Sequence, residues 1–545
     1  MKRFNVVLLL LTASLIFPFT GKSEEVKPVK NVIVMIPDGT TIGVYSAARW
    51  FKHYNNLGKG LNIDPYIKGT VTTFSSDNPI GDSAPTGSTY ATGVIQQSGN
   101  IAIHPKSTEN DLFKTDPSRT YQPAATILEA SKILQNKAVG LVVTSMFPHA
   151  TPADFSAHHY TRRRFDAIAP QMAYQNLNVM FGGGTDYITD DILQHFANNG
   201  TTLIQNDKDA LLNFSDNNNV WALYGKGTMP YNIDRNPDKV PSLAEMTEKA
   251  LELLSQKEEG FFLMVEGSMV DWAAHANDAA TIIDEYLAFD EAVGKVMKFA
   301  EEDGNTAVII LSDHGTSGFT IGSRNCSGYK SISDLFEVVS GIKLSANGLE
   351  SILKDTKPEN IKSEFQKYTG IDITDEELES LKSSKNYSET DYTKVGTSVN
   401  LAHNIVNILN SRMCFGYTSG SHTGEEVLMA AYHPEGDVPM GHLYNTEINK
   451  YLQQVSGLDI SLQELSDKIF VKHNDVFKGM SFSIDKSDPK FPILKVKKGR
   501  KNLEVKAYSS VAKLNNKSFD IGSVVVYIDK NDTFYLPQSL RDSLK

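Results

Sequence analysis

The sequence predicts an α/β protein built on a central, mostly parallel β-sheet, and three observations carry that prediction. Short apolar runs at residues 31–36, 139–145, 261–265, 307–311 and 427–431 are almost continuously hydrophobic, as strands buried on both faces of a parallel sheet must be. Amphipathic stretches alternate with them. The clearest, residues 280–302, sets Ile282, Ile283, Tyr286, Leu287, Phe289, Val293 and Val296 at helical spacing. The unusual polar residues fall directly after the apolar runs, at the strand ends where open α/β sheets bind their ligands.

Taken in chain order, the first element is Met1-Lys2-Arg3, an apolar stretch over 4–19, and Gly21-Lys22-Ser23-Glu24. A basic start, a short apolar run and a small-x-small site predict a secretory signal peptide over 1–23 and an exported protein, periplasmic or secreted. The run is interrupted by Asn5, Thr12 and Ser14 and is short of the roughly 20 residues of a membrane span, so no stable membrane insertion is expected. Residues 24–458 read as the α/β domain. Within it, about 325–415 is polar and helix-leaning, with capping and charge-pair chemistry around 374–385, and is read as an insertion. From 459 to 545 the texture changes: 493–496, 503–506 and 524–528 are β-like and separated by Lys, Asn, Gly and Asp turns. This predicts a small, mostly-β C-terminal domain.

Composition bounds the function. The 545 residues carry 53 Lys+Arg against 65 Asp+Glu, a net charge of −12, which argues against nucleic acid as a main partner. With 40% hydrophobic and 22% charged residues, disordered, fibrous and collagen-like chains are excluded. Two cysteines exclude a disulfide scaffold and a Cys-rich zinc module. Cys326 and Cys414 leave a bridge and two free buried thiols equally open in an exported chain.

The chemistry gathers at the strand ends. The first apolar run ends at Asp38-Gly39, the second at His149-Ala150-Thr151, the third at Glu266-Gly267 with Asp271 and His275 beyond, and the fourth at Asp313-His314-Gly315. Each alone is most often a turn, a cap or a solvated pair. Jointly they deliver carboxylates, imidazoles and a hydroxyl to one sheet edge. Mixed imidazole and carboxylate donors suit zinc, and carboxylate plus hydroxyl suits magnesium. A second element, residues 81–93, reads GDSAPTGSTYATG and looks like a helix start, with Pro85 tolerated in the first turn. Ser83 there is either a plain capping serine or a nucleophile favoured by the positive end of the helix dipole.

In these blocks the chain resembles alkaline phosphatases, the two-zinc, one-magnesium phosphomonoesterases, in a bacterial-type exported form. The matching stretches are 32–40 (VIVMIPDGT), 82–93 (DSAPTGSTYATG), 143–159 (VTSMFPHATPADFSAHH), 265–279 (VEGSMVDWAAHANDA), 311–315 (LSDHG) and 421–426 (SHTGEE). They occur in the family's order and cover most of 30–318 and 419–458. The resemblance implies a three-layer α/β sandwich and a homodimer. It implies Ser83 as nucleophile, Asp271, His275 and His422 as ligands of one zinc, and Asp38, Asp313 and His314 as ligands of the other. Asp38, Thr151 and Glu266 would hold magnesium, and Arg162 the phosphate, although Arg163 and Arg164 leave that register open by a residue. His149 and Trp272 fall where family members differ, beside the magnesium and the phosphate pocket.

The activity implied is hydrolysis of phosphate monoesters through a phosphoserine. The rivals are a sulfatase or phosphodiesterase of the same superfamily, or a non-catalytic secreted binding protein on this scaffold. Pro85 gives residues 83–87 a partial likeness to the sulfatase pattern Cys/Ser-x-Pro-x-Arg, but Gly87 stands where the arginine is needed. A binding protein on a dead scaffold would have lost ligands, whereas every matched position is filled. The run Gly182-Gly183-Gly184 is read as a tight turn because no Gly-Lys-Ser/Thr follows it. His158, His159 and His195 are read as structural or exposed.

Overall fold

The computed structural model describes residues 26–324, 326, 328–384 and 400–545; the signal-peptide expectation for 1–23 lies outside the described residues. A ten-stranded sheet forms the centre. Its strands are β1 (Asn31–Pro37), β2 (Ile67–Thr72), β3 (Ala138–Met146), β4 (Val179–Gly183), β5 (Thr202–Gln205), β6 (Val220–Leu223), β7 (Phe261–Gly267), β8 (Thr306–Leu311), β9 (Val427–Tyr432) and β10 (Gly441–Tyr444). Their order across the sheet is β10-β2-β9-β8-β1-β7-β3-β4-β6-β5. Seven of the nine pairings are parallel. The exceptions both involve β9, which runs antiparallel to β2 and β8. Its apolar sequence made it look like a parallel core strand, and burial on both sides gives that pattern in either direction.

Side chains alternate across this sheet, and each face has its own core. Ile33, Met35, Leu263, Val265, Val308 and Ile310 enter one apolar cluster with the long helix Ala279–Asp303 and helix Leu243–Leu254. Val32, Val34, Phe262, Met264, Ile309 and Leu311 enter the other with helices Ile127–Gln135 and Asn445–Ser456. The result is a three-layer sandwich. The strands β8, β1, β7 and β3 are adjacent and parallel. The four polar strand ends singled out in the sequence therefore lie side by side on one edge. Gly182 and Gly183 are not part of a turn: both belong to β4, and only Gly184 has a positive φ, +104°.

Among the described residues, the segment after β8 forms five α-helices, Ile332–Gly341, Ala346–Asp355, Ile361–Thr369, Asp375–Ser384 and Leu401–Asn410. They bury Phe336, Leu349, Leu353, Phe365 and Ile405 in the first core cluster, on the flank of the sandwich. Their stem stands at the sheet edge. Thr320–Ile321 pairs with Phe415–Gly416, and Cys326 and Cys414 form a disulfide with a Cα–Cα distance of 5.7 Å. One step closer to the sheet, His422 pairs with Thr316 and Thr423 with Gly315, which carries His422 back beside Asp313-His314.

At the C-terminus, a three-stranded sheet (Val471–Lys472, Thr533–Leu536, Val526–Ile528) accompanies a five-stranded antiparallel one (Ser481–Asp485, Ile493–Lys498, Lys501–Lys506, Val511–Leu514, Lys517–Asp520). Leu494, Val496, Leu503, Val505 and Ala512 form the buried face of the larger sheet, packed on Val476, Phe477, Leu540 and Leu544.

Candidate active site

Helix Met269–His275 follows β7 directly, and its i, i+4 spacing puts Asp271 and His275 on one face. His275 Nε2 lies 3.4 Å from Asp271 Oδ2 and 3.2 Å from His422 Nε2. The opposite ring nitrogens face carbonyls: His275 Nδ1 is 2.9 Å from Gly420 O, and His422 Nδ1 is 2.9 Å from Gly81 O. A carbonyl can only accept, so both Nδ1 atoms carry protons and the two Nε2 atoms face one another. Burial and then the neighbouring His314 depress His422 to about 3. Burial opposes charging His275 too, but Asp271 outweighs it and lifts His275 to about 9.

The second group is fully buried. His314 Nε2 lies 3.5 Å from Asp38 Oδ1 and 3.4 Å from Asp313 Oδ2. The hydroxyl of Ser83 is 3.2 Å from the same Nε2. The two groups touch: the His314 and His422 rings stack with centroids 3.8 Å apart. Thr316 Oγ1 donates to Asp271 Oδ1 at 2.6 Å and stands 3.3 Å from His314 Nδ1.

A third group brings Asp38 together with Glu266 and His149, their donor atoms within 4.8 Å of one another. Thr151 is fully buried in the helix Ala150–Ser156 that His149 precedes. Both oxygens of Asp38 and of Glu266, Asp313 Oδ2 and Thr151 Oγ1 are buried without a hydrogen-bond partner at normal geometry. Burial pushes Asp38 well above the usual carboxylate range, and the carboxylates of Asp313, Asp271 and Glu266 add to it. Burial likewise lifts Glu266 to about 8. Orphaned, crowded carboxylates in a dry site require counter-charge, and imidazole with carboxylate is a donor set that divalent cations accept. These residues therefore fit metal ions, and Asp38 is shared by two of the three groups.

Ser83 is the first residue of helix Ser83–Thr92, with Pro85 in its first turn. Asp82 occupies the N-cap position without a side-chain capping bond, because its carboxylate pairs instead with Arg162 Nη1. Arg162 Nη2 is 3.1 Å from His149 Nε2. Burial opposes ionising Asp82, but Arg162, His422 and His314 together hold it below the usual carboxylate range. Of the three consecutive arginines, only Arg162 reaches this site. Arg163 is exposed, and Arg164 turns to Asp166 at 2.8 Å and Asp529 at 3.5 Å.

All ten residues singled out in the sequence thus converge: Asp38, Ser83, Thr151, Arg162, Glu266, Asp271, His275, Asp313, His314 and His422. His149, placed beside the magnesium by the resemblance, offers a third donor next to Asp38 and Glu266. Two neighbours were not assigned from sequence, Asp82 and Thr316. Asp82 orients Arg162, which an Asp at a helix N-cap conceals. Thr316 joins two groups by reaching both Asp271 and His314. His158, held at 3.0 Å by Glu129, and His195, held at 2.7 Å by Asn176, are structural as expected.

The family model for alkaline phosphatase matches residues 29–458. The chain is 31% identical over 459 residues to alkaline phosphatase 3 of Bacillus subtilis, covering 82% of this chain and 92% of that protein. Among solved structures it resembles the cold-active alkaline phosphatase of the psychrophile Shewanella sp. The TM-score is 0.67 at 27% identity, covering 78% of this chain and 99% of that one. It shares its fold with Thermus thermophilus alkaline phosphatase at a TM-score of 0.69 and 24% identity, covering 82% and 96% of the two chains. The fold, the strand-end chemistry and these matches agree: the chain belongs to the alkaline phosphatase family.

Proposed function

We propose that the protein hydrolyses phosphate monoesters to an alcohol and inorganic phosphate through a covalent phosphoserine on Ser83. The observation that carries this reading is the Ser83 hydroxyl at a helix N-terminus, 3.2 Å from His314 and beside the orphaned Asp38 carboxylate. In this reading Asp271, His275 and His422 hold one zinc ion. Asp38, Asp313 and His314 hold a second, and Asp38, Thr151 and Glu266 hold magnesium with His149 adjacent. When bound, such cations lower the pKa of a nearby hydroxyl and offset the negative charge of a phosphoryl group.

The chain's own residues do the rest. Ser83 gives up its hydroxyl proton and attacks phosphorus, forming the Ser83 Oγ–P bond as the ester P–O bond breaks, and the departing alcohol oxygen takes up a proton in its place. The Ser83–Thr92 helix points its unpaired N–H groups toward the negative charge that develops. Asp82 and His149 orient the Arg162 fork toward two phosphoryl oxygens. Water then cleaves the phosphoserine, restoring the Ser83 hydroxyl and releasing phosphate. The sulfatase alternative is disfavoured by Gly87. A Cβ there would lie 2.3 Å from Asp154 Oδ2, so no arginine fits that position. Export directed by residues 1–23 and a homodimeric state complete the reading. No described helix is long and apolar enough to cross a membrane.

The test is a quench experiment. Protein turning over p-nitrophenyl phosphate is stopped in acid and its peptides are mapped. Phosphate is expected on the peptide containing Ser83, and Ser83→Ala should abolish it while metal analysis still finds the ions bound. Turnover without phosphate on Ser83 would refute the covalent route. Full turnover after verified metal removal would refute the metal assignment.

A further inference from the structure

The charge of this chain is unevenly distributed. Residues 471–545 hold fifteen Lys+Arg and eight Asp+Glu, a net +7, while the whole chain is −12, leaving −19 on residues 1–470. This basic segment lies outside the family match at 29–458. Its charge concentrates on the five-stranded sheet. Strand alternation turns Leu494, Val496, Leu503 and Val505 inward and leaves Lys495, Lys497, Glu504, Lys506 and Lys513 on the open face, where Lys495 pairs with Asp485 and Lys506 with Asp191. The hairpin between Ile493–Lys498 and Lys501–Lys506 has the tip Lys498-Gly499-Arg500-Lys501. The next tip, ending at Lys517, stands beside it, because Asn502 and Asn515 exchange hydrogen bonds of 2.9 Å. Lys497, Lys498, Arg500, Lys513 and Lys517 make no ion pair among the described residues.

A groove of about 700 Å³ runs from this face to helix Asp190–Asn199 of the α/β domain. Asp191, Gln194 and Asn198 line one wall, and Glu504, Lys513, Ser518 and Asp520 the other. Amides, hydroxyls and carboxylates are the groups that hydrogen-bond sugar hydroxyls, and a volume of this size accepts several rings. The hairpin tips carry Lys, Arg, Asn and Gly with no aromatic or large aliphatic residue to enter a bilayer.

We propose that residues 471–545, with the Asp190–Asn199 helix, form a docking surface for an anionic polysaccharide. The lysine face would neutralise its charged groups, and the groove would take its sugar hydroxyls. The phosphatase would thereby be held at a negatively charged polymer while its own catalytic half is acidic.

The test titrates the whole protein with fluorescently labelled dextran sulfate at several salt concentrations, beside neutral dextran, phosphatidylglycerol vesicles and a DNA duplex. Salt-sensitive binding to dextran sulfate, tighter than to vesicles or DNA at equal charge concentration, is expected. The combined variant Lys497→Glu, Lys498→Glu, Arg500→Glu and Lys501→Glu should bind roughly tenfold or more weakly while p-nitrophenyl phosphate turnover stays unchanged. Should that variant fold poorly, the corresponding glutamines serve. Ser518→Trp, which fills the groove, should weaken dextran sulfate binding without changing its salt dependence. Absence of binding, binding indifferent to the charge changes, or tighter binding to vesicles or DNA would each overturn the proposal.

Discussion

Arg162→Ala isolates the phosphate-orienting role assigned to one arginine of three. In the structure Arg162 is tied by Asp82 and lies 3.1 Å from His149, so its planar fork is held in place before substrate arrives. A hydrogen bond to a charged group contributes about 1.5–3 kcal/mol. Losing two to the phosphoryl oxygens should therefore raise the barrier by about 3–6 kcal/mol, roughly two to four orders of magnitude in kcat/KM. The deletion also leaves Asp82 without its partner beside an incoming anion, so Asp82→Asn should restore part of the loss in the double variant. Arg162→Lys keeps the charge but not the fork, and should fall between. The assay is steady-state hydrolysis of p-nitrophenyl phosphate with inorganic phosphate as a competitive inhibitor; both kcat/KM and phosphate affinity should fall. Arg163→Ala and Arg164→Ala are the controls, since one is exposed and the other is held by Asp166 and Asp529. Activity of Arg162→Ala within about threefold of the parent, or an equal loss in Arg164→Ala, would refute the reasoning.

Gly87→Ala should destabilise the protein by about 1–3 kcal/mol and lower kcat, because the new Cβ meets Asp154 Oδ2 at 2.3 Å on the helix that carries Ser83; unchanged melting and unchanged kcat would contradict this. Burial lifts Glu285 from 4.5 to about 8, so the native state keeps a proton that the unfolded chain has released. Stability should then fall as pH rises between these values, with the loss complete above the upper one. Glu285→Gln should remove that slope, and a urea midpoint whose pH dependence is the same in both proteins would exclude it. Removing the Cys326–Cys414 bridge, whose partners are 88 residues apart, should cost up to about 4 kcal/mol and speed amide exchange in the five inserted helices. Identical exchange in Cys326→Ser/Cys414→Ser would show that the helices need no tether.

What was legible in the sequence follows physical lines. The strands β1, β3, β7 and β8 were visible because they are buried on both faces and read as unbroken apolar runs. The strand β2 was missed because Lys68, Gly69 and Thr70 interrupt its apolar pattern, and β4 because its last two residues are glycines. The strands β5, β6 and β10 have only four residues each, too few for a period. Site residues declared themselves where their chemistry was out of place at a strand end. The choice among Arg162, Arg163 and Arg164 was hidden because it depends on which one meets Asp82, eighty residues earlier. The pairing of Cys326 with Cys414 was equally hidden, since it is set by the two short ladders of the stem rather than by local sequence.

The residues that converge at the sheet edge begin at Asp38 and end at His422, and His422 arrives only after the inserted helices have returned through their stem. Closing so long a loop is slow and comes late. A chain that has folded its first eight strands can already hold Asp38, Glu266, Asp271 and Asp313 close together, yet it lacks the imidazole that completes one group. Under the proposed metal assignment, high-affinity uptake at that group would report that the domain has been finished, and a chain cut short or stalled within the insertion should remain without it. On that assignment the centre would serve as an internal record of completed assembly.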